Sequence, residues 1–268
     1  MLQGFHYPRT PGGIASLNQA PPWHYSSDFL AIEFWADPAQ VAALLPPGLA
    51  PDTQANGRAV GYFYDWQFTG EHDEFLDPAR YQYREFFILV DALLDGQPVS
   101  YCPYIFVDND AALARGWSQG YPKRLGQVFQ TRLHAAPSKA APQLVAGARF
   151  AGSMSANGQR LAEGVVTLAQ ELTNPAALEQ RPVVNLLYTP RLAAGQHDQP
   201  AVNELVMNVP RDVHIAQAWV GQGTLRLPAA AGEEMSALAP LRCGTGIRAS
   251  MSYIVDDLRT VKPLKPTA

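Results

Sequence analysis

The chain has 268 residues, enough for one large domain or two small ones with a substantial core. Its formal net charge of −4 at pH 7 supplies no basic surface, so we expect neither nucleic acid nor an anionic membrane as a partner. Two cysteines cannot build a disulfide framework or a four-cysteine zinc site, and the histidines show no paired ligand spacing, so we predict no metal.

The first quarter of the chain predicts an arm followed by strands. Residues 1–24 are rich in proline and glycine and are expected to form an extended arm. The stretch 28–36 (DFLAIEFWA) is typical of a strand, and Asp37 and Pro38 then supply an N-cap and the first position of a short helix. The alternating, aromatic stretch 58–68 predicts a second strand.

The middle of the chain predicts a hairpin and a short helix. The strands 84–94 and 97–107 flank Asp95 and Gly96, a favoured dipeptide for a tight hairpin turn. The Asp-Asn-Asp motif that opens the stretch 108–115 predicts the cap of the helix.

The remainder of the chain is dominated by short strand patterns. Predicted strands occupy 126–134, 144–152, 160–172, 203–209, 212–220, 223–228 and 247–257. We find neither an internal repeat nor a low-complexity linker, so we expect a single domain over 1–268 with a C-terminal tail at 260–268. The predicted fold class is α+β, with a mostly antiparallel, curved or barrel-like sheet and a few short helices.

The stretch 116–120 (GWSQG) matches the G-x-S-x-G pattern of serine hydrolases, with Ser118 as the nucleophile. That motif requires a buried strand before the serine and a helix after it. Here the preceding residues predict a helix, and Tyr121 before Pro122 is pushed toward extended conformations. We interpret the match as coincidental.

Lys123 is the one lysine that the sequence places among aromatic and glycine residues. The other three, Lys139, Lys262 and Lys265, lie in proline-rich segments and are expected to be solvated. A lysine with a suppressed positive charge can form a Schiff base with a carbonyl substrate. Without further information, a loop charge is the simpler interpretation of Lys123.

Arg124, the next residue, offers one way to suppress that charge. A cation held about 6–7 Å from the lysine, in an effective dielectric of about 20, costs the ammonium form about 2.5 kcal/mol. Partial burial acts in the same direction. Adjacency in the sequence does not guarantee proximity, because neighbours on a strand point to opposite faces.

The segment 121–126 (YPKRLG) resembles the active-site segment of the acetoacetate decarboxylase family, the known example of a lysine activated by a neighbouring cation. Further segments that resemble the family are 43–49, 104–116 and 213–225, so the resemblance extends over about 25–258. The resemblance implies a cone-shaped, mostly antiparallel β fold and a homo-oligomer.

The chain departs from the decarboxylase pattern at several positions. It has Arg124 in place of a second lysine, no arginine at 26–28, and no glutamate at 60–62. A second pocket glutamate of the family is matched by Glu85. The resemblance thus implies that the imine-forming lysine and one acid are kept while other decarboxylation groups are missing.

A divergent branch of the family, the aldolase-dehydratases, is more similar to this chain. That branch uses a glutamine shortly before the lysine and a tyrosine near the C-terminal end, matched here by Gln119 and Tyr253. The resemblance implies Lys123, Glu85 and Tyr253 as catalytic residues. It implies Gln119 as a substrate contact, while Arg124 tunes the lysine pKa.

Three functions stay open at this point. The first is a Schiff-base lyase that condenses pyruvate with an aldehyde and eliminates water, the second a β-keto acid decarboxylase, and the third a non-catalytic protein that binds a small acid. The absence of a glycine-rich phosphate loop predicts no nucleotide cofactor. We expect a cytoplasmic protein, because the first residues lack the apolar region of a secretory signal and no apolar run could span a bilayer.

Overall fold

The computed structural model describes residues 1–175, 178 and 180–264, and in this part of the chain twelve β-strands form one sheet. The strands are β1 (Trp23–Trp35), β2 (Leu49–Pro51), β3 (Arg58–Thr69), β4 (Gln82–Leu94), β5 (Gln97–Val107), β6 (Lys123–Leu125), β7 (Gln127–Gln130), β8 (Arg149–Ala156), β9 (Gln159–Glu171), β10 (Val184–Thr189), β11 (Val202–Arg226) and β12 (Arg242–Pro263). The described helices are α1 (Pro38–Leu44), α2 (Pro78–Tyr81) and α3 (Asp110–Ser118).

The sheet is curved, and the strands at its two ends, β6 and β7, follow each other in the sequence. The hydrogen-bonded order is β6-β5-β4-β3-β1-β12-β11-β9-β8-β7, with β2 on β4 and β10 on β11. These pairings are antiparallel except that of β5 with β6. The end strands β6 and β7 are separated only by Gly126, so the chain itself connects the two ends, although the ladder of hydrogen bonds is not closed. The predicted mostly antiparallel, curved sheet is confirmed.

Local turn chemistry accounts for the two tight hairpins. Asp95 and Gly96 have φ angles of 48° and 81°, and Asn157 and Gly158 have 50° and 73°. Positive φ at both central residues matches the right-handed twist of the flanking strands, and these residue types adopt it readily. The predicted N-cap is confirmed as well, because the Asp37 carboxylate accepts a backbone N–H of α1 at 2.8 Å.

Alternation along the strands separates two hydrophobic clusters. On β3, Phe63 packs into one cluster, whereas Tyr64 and Trp66 pack into the other, because successive side chains point to opposite faces. The first cluster contains mainly aliphatic residues and phenylalanines. The second is rich in aromatic side chains, most of them tyrosine and tryptophan, and includes Trp23, Tyr25, Tyr64, Trp66, Phe68, Tyr81 and Tyr83. This second, aromatic cluster surrounds the site described below.

The last strands differ from the prediction in length. β11 runs for 25 residues and β12 for 22, with several register shifts between them. The bulges interrupt the alternation, so the sequence predicted three short strands in place of β11 and only the stretch 247–257 of β12. β12 continues to Pro263, so residues 260–263 of the predicted C-terminal tail form part of a strand. Residues 265–268 of that tail lie outside the described residues. β1 begins at Trp23, which shortens the predicted arm slightly.

Candidate active site

Lys123 is the first residue of β6, reached by a tight turn from the end of α3. The Asn109 side chain caps α3 by accepting the Ala112 N–H at 2.9 Å, and the Tyr121 N–H returns to the Gly116 carbonyl at 2.9 Å. The indole N–H of Trp117 donates to the Lys123 carbonyl at 2.9 Å. These bonds fix the backbone from which the lysine side chain projects.

The lysine side chain passes directly over Gly116. A Cβ at that position would lie 2.5 Å from Lys123 Cε and 2.6 Å from its Cγ, so only glycine leaves the required space. Ser118, the candidate nucleophile of the G-x-S-x-G pattern, is exposed in the last turn of α3, and its hydroxyl lies 3.4 Å from the Ala114 carbonyl. The first glycine of that pattern therefore accommodates the lysine, and the serine lies on a helix rather than on a nucleophile elbow.

The other lysines of the chain do not share the buried position of Lys123. Lys139 is exposed, and Lys262 forms an exposed pair with Asp95 at 3.0 Å. Lys265 lies outside the described residues.

A cavity of about 540 Å³ lies on the face of the sheet that carries the aromatic cluster. Lys123, Glu85, Gln119 and Tyr253, four of the five site residues named from the sequence, all line it. Its further lining includes Tyr25, Tyr62, Tyr64, Trp66, Tyr83, Phe87, Leu89, Ile105, Tyr121, Val183, Met207, Asn208, Val213, Ile215, Met251 and Val255. The cavity is thus largely apolar and aromatic, with a few polar groups, as is usual for sites that take small molecules.

Lys123 and Glu85 form a buried pair at the wall of the cavity. Lys123 Nζ lies 2.6 Å from Glu85 Oε2, and each side chain is only 6% exposed. The other oxygen of Glu85 accepts the indole N–H of Trp66 at 3.2 Å. This contact fixes the carboxylate and leaves it within proton-transfer distance of the amine.

Burial lowers the pKa of Lys123, because the ammonium form loses its hydration. Glu85 opposes this shift by stabilising the ammonium form, and the nearby guanidinium of Arg115 assists it. The balance lies on the side of a lowered pKa. The neutral, nucleophilic amine form of Lys123 is therefore more populated than that of an exposed lysine at the same pH.

Arg124 does not lie beside Lys123, so the predicted proximity is wrong. The parallel pairing places Lys123 opposite Ile105 and Arg124 opposite Phe106, on the other face of the sheet. There Arg124 stacks over the Phe106 ring at 5.1 Å and forms a bidentate pair with Glu233 at 2.6 and 2.7 Å. Its side chain is 47% exposed. The positive charge of Arg124, which the sequence predicted would lower the pKa of Lys123, is instead paired with Glu233.

Arg115 is the cation that the sequence interpretation missed. It is 2% exposed on α3, and its guanidinium lies 3.7 Å from the centre of the Phe68 ring. A signal was present, because Arg115 lies three and four residues after the buried Ala112 and Ala111, on the same helix face. Without the tertiary structure, an arginine in the last turn of a helix is more simply explained as a surface charge near the helix C-terminus.

Two amide side chains bring unused hydrogen-bonding atoms to the cavity. Gln119 Nε2 and Asn208 Oδ1 are buried without a hydrogen-bond partner among the described residues. Such atoms are costly to leave unpaired, so they are suited to binding polar groups of a ligand. The position of Gln119 agrees with the substrate contact expected from the sequence, whereas nothing in the sequence marked Asn208.

Tyr253 also contributes to the wall of the cavity. Its ring stacks on Tyr25 with centroids 4.9 Å apart and meets Trp66 edge-on at 5.7 Å. Burial holds the pKa of Tyr253 well above its usual range. Its hydroxyl is therefore protonated near neutral pH and available as a donor.

Within the described residues, no three His, Cys, Asp or Glu side chains are grouped closely enough to hold a metal ion. In the same part of the chain, no helix is long and apolar enough to cross a membrane.

Comparison with known proteins places this geometry in a family. The family model described as acetoacetate decarboxylase (ADC) matches residues 6–264. A search of curated proteins gave no match. The confirmed resemblance thus extends over nearly the whole chain.

Solved structures are similar over the same length. The enduracididine biosynthesis enzyme MppR, complexed with the condensation product of pyruvate and imidazole 4-carboxaldehyde, is 33% identical, with a TM-score of 0.89 over 98% of this chain and 97% of that one. MppR complexed with pyruvate is similar to the same degree, at 32% identity and a TM-score of 0.88, over 97% of this chain and 98% of that one. An acetoacetate decarboxylase-like enzyme from Sphingomonas wittichii RW1 is 25% identical, with a TM-score of 0.88 over 98% of this chain and all of that one.

Proposed function

Since the chain belongs to the acetoacetate decarboxylase family, we propose that it is a Schiff-base lyase that condenses pyruvate with an aldehyde and eliminates water. The observation that carries the proposal is the buried Lys123–Glu85 pair in the wall of a mainly apolar cavity. The MppR complexes with pyruvate and with a pyruvate–aldehyde condensation product support pyruvate as the first substrate.

The first stage is formation of the imine. Lys123 passes its proton to Glu85, and the neutral amine attacks the ketone carbon of pyruvate. In this adduct a proton passes from the nitrogen to the alkoxide oxygen, which becomes a hydroxyl. The protonated Glu85 then returns its proton to that hydroxyl, which leaves as water and gives the iminium. Gln119 Nε2, which has no partner among the described residues, donates to the carboxylate of pyruvate.

The second stage joins the two substrates. The iminium acidifies the adjacent methyl group, Glu85 removes a proton from it, and the resulting enamine attacks the aldehyde carbon. The Tyr253 hydroxyl donates a proton to the alkoxide that forms, and the proton that Glu85 removed passes to the Tyr253 phenolate, which restores both groups before the elimination. Loss of water across the new bond, followed by hydrolysis of the imine, releases an unsaturated oxo-acid and free Lys123.

The shape of the cavity supports a second substrate with an apolar or aromatic body. Glu85, Phe87 and Leu89 line it at alternate positions of β4, and four residues of strand span roughly 13 Å. Pyruvate occupies only the part next to Lys123. The remaining length of the cavity is bounded by Phe87 and Tyr62, whose ring centroids lie 4.8 Å apart. We therefore propose an aryl aldehyde rather than a short aliphatic one.

Borohydride trapping with pyruvate tests the proposal. The reductant converts the imine to a stable adduct, which we expect on Lys123 and not in Lys123→Arg. The matched control is Lys262→Arg, a conservative change at an exposed lysine, which should trap like the wild type. Absence of an adduct in the wild type would show that no pyruvate imine forms and would favour a non-catalytic binding protein.

A decarboxylase is the second candidate, because the matching family model is that of acetoacetate decarboxylase. Incubation with acetoacetate separates the two enzymes. We expect no carbon dioxide at a catalytic rate, since the chain lacks the arginine, the second lysine and one glutamate of the decarboxylase pattern. Release at a catalytic rate would overturn our preference for condensation.

A further inference from the structure

The N-terminal arm, residues 1–22, reaches the rear of the active site through Asn18. This residue is 1% exposed, and its side-chain oxygen accepts a hydrogen bond from Arg115 Nη1 at 3.1 Å. The backbone of the arm is held in turn, because the Ser16 hydroxyl lies 2.7 Å from the Asn18 carbonyl and accepts the His6 N–H at 3.0 Å. Asn18 therefore makes a fixed, interior contact.

Arg115 lies behind two tyrosines that line the cavity. Its guanidinium is 5.4 Å from the ring centre of Tyr25 and 5.5 Å from that of Tyr83. Within the described residues no carboxylate forms an ion pair with it, and its Nη2 has no hydrogen-bond partner. Glu85 favours the charged form of Arg115, but that carboxylate is itself paired with Lys123 at 2.6 Å. The positive charge of Arg115 therefore acts across the tyrosines in a medium of low dielectric.

We propose that Asn18 is a positioning residue of the active site: by holding Arg115 behind the tyrosine wall, it sets the electrostatic field in which Lys123 forms its imine. The inference rests on the imine chemistry proposed above. It gives Arg115 the role of neighbouring cation that the sequence had assigned to Arg124. A neutral amide suits this task, because it fixes the guanidinium and leaves its charge intact, whereas a carboxylate would cancel that charge.

The groups that face Lys123 and Arg115 limit what a pH profile can report. They are Glu85 and Tyr83 from β4, Cys102 from β5, Tyr121 from the turn before β6, and Tyr25 from β1. Burial raises the pKa of each of these tyrosines and of Cys102. These four groups stay neutral near pH 7, so the pH dependence of imine formation reports on Lys123.

The test is Asn18→Asp, which introduces a carboxylate with little change in size. Arg115 then no longer disfavours the ammonium form of Lys123, so the midpoint of pyruvate-dependent borohydride trapping should move up by about half to one pH unit. Trapping at pH 7 should fall roughly three- to tenfold. Asn18→Ala should shift the midpoint in the same direction, because it removes the hydrogen bond that holds the Arg115 guanidinium in position. Ile14→Ala, an exposed change in the same arm, should leave it unmoved.

The outcomes distinguish this inference from the proposed function. A folded Asn18→Asp protein that traps with the wild-type midpoint would overturn the positioning role, because a purely structural contact alters the folded fraction and not the midpoint. If Asn18→Asp does not fold, the midpoint of Asn18→Ala decides in the same way. A wild-type protein that traps pyruvate keeps the proposed function standing in either case, and one that gives no adduct overturns both.

Discussion

Replacing Gly116 by alanine is expected to disable the enzyme, although the change adds only a methyl group to α3. In a helix interior it would normally stabilise the fold by about 1 kcal/mol, because alanine has the higher helix propensity. Here the new Cβ would lie 2.5 Å from Lys123 Cε and 2.6 Å from its Cγ. Carbon atoms in contact are about 3.5–4.0 Å apart, so the lysine side chain must move by about 1 Å or more.

A displacement of that size removes Lys123 Nζ from its 2.6 Å contact with Glu85. Misplacing a reacting group by about 1 Å costs roughly 100-fold in rate. The extra methyl group also overpacks the interior, at about 1–3 kcal/mol. Set against the helix gain, the net loss of stability is about 0–2 kcal/mol, so the variant should fold and yet be nearly inactive.

The assay is kcat/KM for condensation of pyruvate with an aryl aldehyde, accompanied by borohydride trapping and thermal unfolding. Ser118→Ala, two residues further along α3, is the matched control and should keep full activity because its hydroxyl is exposed. Wild-type activity in Gly116→Ala would refute the argument that the glycine exists to admit Lys123. Loss of activity in Ser118→Ala would instead restore the serine hypothesis.

Two further substitutions test the charges around the lysine. Glu85→Gln removes a group that raises the pKa of Lys123, so imine formation should extend to lower pH. Because the same change removes the proposed base, kcat for condensation should fall about 100- to 10,000-fold. A kcat near the wild-type value would exclude Glu85 as that base. Arg124→Gln should leave the pH midpoint of trapping unchanged, because Arg124 lies on the opposite face of the sheet. It should cost about 1–3 kcal/mol in thermal unfolding, because it leaves Glu233, whose side chain is only 6% exposed, without its partner. An upward shift of the midpoint would contradict the placement of Arg124.

Local patterns in the sequence were sufficient where the structure depends on neighbours in the chain. The hairpin at Asp95 and Gly96 and the cap at Asp37 were predicted correctly, because turn and cap geometry is decided within a few residues. The long strand β11 was wrongly divided into three and β12 was predicted too short, since bulges interrupt the alternation that identifies a strand.

The candidate site also contains residues that the sequence identified and one that only the structure revealed. Lys123, Glu85, Gln119 and Tyr253 were named from the sequence through motif resemblance, and the structure brings all four to one cavity. Their catalytic roles stay predictions, as does the homo-oligomer that the resemblance implied. Nothing in the sequence marked Asn18, which is 97 positions from the arginine that it contacts.

By itself the sequence determined the fold class, the family resemblance and the candidate lysine, because these follow from local periodicity and from a contiguous motif. Only the tertiary structure decided which cation acts on that lysine. Strand alternation turns Arg124 to the opposite face, whereas the packing of α3 buries Arg115 against the aromatic cluster. Electrostatic influence depends on distance and burial in three dimensions, and adjacency along the chain is a poor measure of both.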